Sequence, residues 1–125
     1  MSVSNQTNSV TLVAHAAAPI YRILTLDGTT GLPRLAADPA ELPCGVSGET
    51  AVAGEAFNMV LPAGIMKIEA GAVVTLGSAL MTDGTGRAID LVGGASEYIV
   101  GTALDAAGAA GDIIRVLIQV HQDVA

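Results

Sequence analysis

His15 and His121 are the two histidines of this 125-residue chain. They stand nearly a chain length apart, and neither has a second ligand-type residue beside it at metal spacing, so a zinc centre finds no support. Cys44 is the single cysteine, which by arithmetic removes an intrachain disulfide and every site that needs two thiolates. It reads as a small apolar side chain. A serine nucleophile asks for G-x-S-x-G on a strand-to-helix turn, whereas GVSGE at 45–49 lacks the final glycine. Paired carboxylates could cleave a glycosidic bond, but Asp83 and Asp90 fall in turn-rich stretches, and Glu55 and Glu69 have no motif around them. GGAS at 93–96 and GAAGD at 108–112 match neither of the glycine patterns that cradle phosphate. DGTG at 83–86 lacks the alternating carboxylates and the distal glutamate of a calcium loop. These residues describe an acidic solvated surface and a set of turns. No catalytic residue, cofactor or metal is expected.

The elements that would position such residues are short. Turn chemistry recurs every few residues from DGTTG at 27–31, through Pro33, Pro39, Pro43 and PAG at 62–64, to DGTG at 83–86 and the glycine pair at 93–94. That spacing is the pattern of an all-β domain. Strands are expected at Tyr21–Leu26, Ala51–Ala53, Phe57–Leu61, Ile65–Glu69, Val73–Leu76, Leu80–Thr82, Ala88–Val92, Tyr98–Ala103 and Ile113–His121. The last is the plainest, since Ile114, Val116, Ile118 and Val120 share one face at a period of two. Leu104–Gly111, with Asp105 as a candidate N-cap, and Asp38–Leu42 could each supply a short helical turn. The expected fold is therefore mainly β: one small barrel or sandwich with at most one or two helical turns. The expected division is an extended N-terminal arm over residues 1–18 and a β-barrel domain over 19–125. Residues 1–9 are mostly Ser, Asn, Gln and Thr, too polar to order themselves by burial. Val10–Ala18 is small and apolar, suited to pairing as an added strand with a partner edge.

Composition narrows the partners. Half of the residues are apolar, yet Phe57, Tyr21 and Tyr98 are the only aromatics. A core of small aliphatics gains less from burial than an aromatic one, which hints at assembly with other copies. The formal charge of -7 repels phosphate and argues against nucleic-acid binding. The N-terminus lacks the basic residues and long apolar run of a secretory signal. The longest apolar stretch, 70–82, is too short and too glycine-rich to cross a bilayer, so no membrane partner is expected.

The C-terminal half carries a recognisable pattern. GIMKIEAGAVVTLGSALMTDGTGRAI at 64–89 and EYIVGTALDAAGAAGDIIRVLI at 97–118 resemble the capsid decoration, or cement, proteins of tailed bacteriophages. The matching positions are Ala70-Gly71, Gly77 with Leu80, Asp83 with Gly86-Arg87-Ala88, Ile99-Val100-Gly101 with Ala103-Leu104, and Gly111-Asp112. Segment 27–50 does not align and reads as an insertion. The resemblance implies a β-tulip-like domain made in the host cytoplasm. It would bind the outer surface of the expanded head as a homotrimer at three-fold or quasi-three-fold axes and brace the major capsid protein. The arm, through Ser2, Val3, Val10, Thr11, Leu12, Val13 and Ala14, would add a strand to the shell, so that removing residues 2–14 weakens attachment and spares the body. Two alternatives stay open. One is another virion part, such as a tail or spike domain. The other is a small β-barrel carrier or binding module, suggested by Met66-Lys67-Ile68, which resembles the biotinylated string of carrier hairpins.

Overall fold

The structure, a computed structural model, describes residues 9–61, 63–92 and 97–122. Ten strands form in chain order: β1 Ser9–Val13, β2 Ile23–Leu26, β3 Pro33–Leu35, β4 Gly45–Ser47, β5 Ala56–Val60, β6 Ile65–Glu69, β7 Ala79–Thr82, β8 Ala88–Asp90, β9 Tyr98–Ala103 and β10 Ile113–Gln122. They pair into two five-stranded sheets, ordered β1-β5-β4-β2-β3 and β6-β10-β9-β7-β8. All ladders are antiparallel. The chain thus completes one sheet before it begins the other. No helix forms among the described residues.

Alternation explains the core. On β10, Ile114, Val116 and Ile118 are buried while Ile113, Arg115, Leu117 and Gln119 are exposed, the period-two pattern of a half-buried strand. One apolar cluster joins the sheets, with Ile23 and Val46 from the first packed among Ile68, Leu80, Ile114 and Val116 of the second. Leu24, next along β2, points to the opposite face and belongs to a second cluster with Phe57 and Met59. The first sheet is therefore apolar on both faces. Ala14, Ala18 and Ala51 close the second cluster, and Val10 and Leu12 of β1 pack against it.

Several expectations change. Ala51–Ala53 is not a strand: Ala51 makes a lone bridge to Ala18. Val73–Leu76 likewise contributes one bridge, Val74 to Ala107, because Val74 alone of that run is buried. Among the described residues neither segment has a neighbouring strand along its length. Segment 27–50, read as an insertion, supplies β3 and β4, which belong to the first sheet. Asp105 does not cap a helix; its carboxylate instead accepts from the Arg115 backbone N–H at 2.9 Å and from its guanidinium at 2.9 and 3.0 Å. The run 104–112 folds back as a turn, with Asp112 accepting from Gly108 and Ala109 N–H groups. Asp38–Leu42 is also a turn, closed by Glu41 N–H to Asp38 O.

Candidate functional site

The residues expected to make an attachment contact fall in two groups. Ser2 and Val3 lie outside the described residues. Val10, Thr11, Leu12 and Val13 form β1, paired with Met59, Asn58, Phe57 and Ala56 of β5. Ala14 follows, buried, with its N–H on Glu55 O and its carbonyl accepting from Gly54. Ala18 and Ala51 then exchange two backbone bonds of 3.1 and 2.7 Å. Small apolar residues permit this close run, and residues 9–18 are thereby held within the first sheet. β1 is an edge strand of that sheet. Asn58 gives its carbonyl to Gly48 on the β4 side, so in the alternating ladder its partner Thr11, and Val13 with it, aim their backbone groups away from β5. Thr11 and Val13 are also the two residues of β1 whose side chains are exposed.

The motif residues of the C-terminal half do structural work. Asp83 accepts from the N–H groups of Thr85 (2.8 Å) and Arg87 (2.9 Å) and from Arg87 Nε (3.2 Å). Burial works against its charged form, yet those backbone donors outweigh it and hold the carboxyl below the usual carboxylate range. Gly86 has φ 79°, and a Cβ there would meet Ile23 O at 2.7 Å. Only glycine lets the β7–β8 hairpin lie this close to β2, where Ile23 N–H donates to Gly86 O at 2.6 Å. Glu69 bridges Arg22 (3.2 Å) and Arg87 (3.7 Å). Asp83, Gly86 and Arg87 thus tie one sheet to the other.

Most of the remaining chemistry-bearing residues are engaged within the fold. Ser47 is fully buried, its Oγ donating to Pro19 O at 2.6 Å and accepting from Arg22 N–H at 3.0 Å. Asp90 accepts from Ser78 Oγ at 2.6 Å. Burial pushes the Cys44 thiol up to about 11. His121 lies 2.8 Å from Gln119 O near the end of β10. The sequence offered His15 no neighbour; the fold brings it to Asp27 (3.7 Å) and Thr30 (3.3 Å) on an exposed turn. That contact joins the chain after β1 to the β2–β3 connection and had no local signal, being made across a turn. Lys67 sits in the middle of β6 rather than at a hairpin tip. Among the described residues no three His, Cys, Asp or Glu side chains gather to hold a metal, and no helix is long and apolar enough to cross a membrane.

One further feature lies beyond the motif. Tyr21 has φ 65°, the only non-glycine residue with positive φ among those described. This left-handed turn sends its N–H to Ser47 O (3.0 Å) and its carbonyl to Glu69 N–H (2.9 Å), so a strained residue bridges β4 and β6. Beside it opens a cleft of about 240 Å³ between β6 and the β4–β5 pair, lined by Tyr21, Val46, Val60, Ile65, Met66 and Lys67 among others.

Residues 3–118 match the family model described as phage cement protein. The fold is shared with a solved structure, the N-terminal base of the head fibre protein gp8.5 of bacteriophage phi29. The two are 21% identical, with a TM-score of 0.74 over 91% of this chain and 95% of that one. No curated protein sequence matches the chain.

Proposed function

This chain belongs to the phage cement protein family, and from that premise we propose that it sits on the outer surface of the expanded head as a homotrimer at three-fold or quasi-three-fold axes, bracing the major capsid protein. It is a structural head-decoration component and not an enzyme. The observation that carries the finer reading is the edge of β1, where Thr11 and Val13 carry exposed side chains and aim their backbone groups away from β5, up to His15, whose N–H on that side donates to Pro33 O. A shell strand could add there. In this reading Ser2, Val3, Thr11 and Val13 meet the shell directly, while Val10, Leu12 and Ala14 hold the strand to its own body.

Two properties support the outer position and the oligomer. The charge of -7 disfavours the DNA-filled interior. Val73 and Leu76 remain 65% and 64% exposed, apolar area that contact with other copies would cover. Weak single contacts suffice on a lattice, where many linked sites raise the effective concentration. The test is to add purified protein to expanded, undecorated heads and image them by electron cryomicroscopy. Extra density on the outside at three-fold positions is expected; heads left bare would end the proposal.

A further inference from the structure

The cleft beside β6 is bordered by a strand edge with open backbone groups. β6 pairs with β10, with Lys67 opposite Arg115 and Ile65 opposite Leu117. Gly64 O accepts from Ile118 and Ala70 N–H donates to Asp112, so the even-numbered residues of this segment face β10. The odd-numbered ones face the other way, as Glu69 shows by donating to Tyr21 O. Ile65 and Lys67 therefore aim their N–H and C=O groups along the cleft, where no backbone partner meets them among the described residues. Unpaired edge groups of this kind are a template for another strand.

Charge identifies what that strand carries. The chain has five basic residues. Arg22, Arg34, Arg87 and Arg115 are each in an ion pair, with Glu69, Glu41, Asp83 and Asp105 respectively. Lys67 alone has no ion pair among the described residues, and it is exposed. Its cross-strand neighbour on β10 is Arg115, already neutralised by Asp105, so a carboxylate would have to come from the open side. The apolar walls of Val46, Val60 and Met66 suit an aliphatic side chain, since a cavity of ~150 Å³ already holds a benzene-sized group. Ile65, 60% exposed, adds a second apolar position two residues away on the outer face.

We propose that this cleft is a strand-addition site for an extended segment of another protein, which pairs with the backbone of Ile65 and Lys67, drops an aliphatic side chain into the cleft and sets a carboxylate against Lys67. The site is separate from the β1 edge and does not rest on the head-binding reading.

The probe is the peptide acetyl-Ser-Val-Ile-Glu-Ile-Val-Ser-amide, whose order is the same in both directions and so fits parallel or antiparallel addition. Titrated into 15N-labelled full-length protein, it should shift the amide signals of Ile65 and Lys67 and leave those of Thr11 and Val13 in place. Lys67→Glu should weaken its binding about fivefold or more and strengthen that of the analogue with lysine in place of glutamate. N-methylation of the peptide backbone at the central residues should abolish binding. Absence of binding at millimolar peptide, indifference to the charge swap, or equal binding of the N-methylated peptide would each overturn the proposal. Because the readout uses free protein, failure of head decoration leaves it standing.

Discussion

At the scale of single residues, side chains of ordinary chemistry are spent on holding turns. Asp105 is the clearest case. Its side-chain bonds to Arg115, followed by the Arg115 backbone N–H, lower its pKa to about 2 from the ordinary value of 3.8. A carboxyl whose pKa is lower in the folded chain stabilises the fold above its unfolded value and loses that contribution as pH falls through the folded one. Thermal melts should therefore show a loss of stability between about pH 4 and pH 2. Asp105→Asn should flatten that part of the profile; an unchanged profile would show that the fork with Arg115 contributes nothing in solution. Gly101 makes the complementary point through space. A Cβ there would press into the carbonyl oxygen of Leu117 on the adjacent strand, so Gly101→Ala must push β9 from β10. A loss of about 3 kcal/mol in urea unfolding is expected, and a loss under about 0.5 kcal/mol would mean that the strands separate easily.

At the scale of elements, β1 has two faces with different duties. Val10 and Leu12 cover the cluster around Phe57 and Met59, while Thr11 and Val13 look outward. Removing residues 2–14 takes away the whole strand and uncovers that cluster, whereas removing 2–8 leaves the ladder to β5 intact. The longer deletion should lower stability by several kcal/mol, since each large apolar side chain brought into water costs about 1.5–3 kcal/mol. The shorter one should melt with the full chain and isolate the share of attachment held by Ser2 and Val3. Equal melting of the two truncations would show that β1 adds nothing to the body. The reading from the residues alone gave the apolar run from Val10 a partner's edge to pair with, whereas in the structure β1 pairs with β5 of its own chain.

At the scale of the whole molecule, a core with one phenylalanine is built from small aliphatics in two clusters, one between the sheets and one on the opposite face of the first sheet, and apolar side chains are left on the surface at Val73, Leu76 and Val92. Self-association is the expected remedy. Light scattering coupled to size exclusion should give three times the chain mass of 12.4 kDa at tens of micromolar protein. A particle of one chain mass under those conditions would remove the preassembled trimer and leave trimerisation, if any, to the head surface.

Local chemistry settled much of this protein before any long-range contact was known. The period of two along Ile113–His121, the bounds of Ile65–Glu69 and Tyr98–Ala103, and the turn at DGTG 83–86 all follow from neighbours a few residues apart, and so does membership of the all-β class. What the sequence left open depends on partners distant in the chain. Segment 27–50 became two strands because β2 and β5 offered edges to it, and Val73–Leu76 stayed a connection because one bridge to Ala107 was all it found. The strained Tyr21 and the open edge at Ile65 and Lys67 exist only where β4 and β6 come together. A strand is half a structure, and its other half is supplied by the strand beside it.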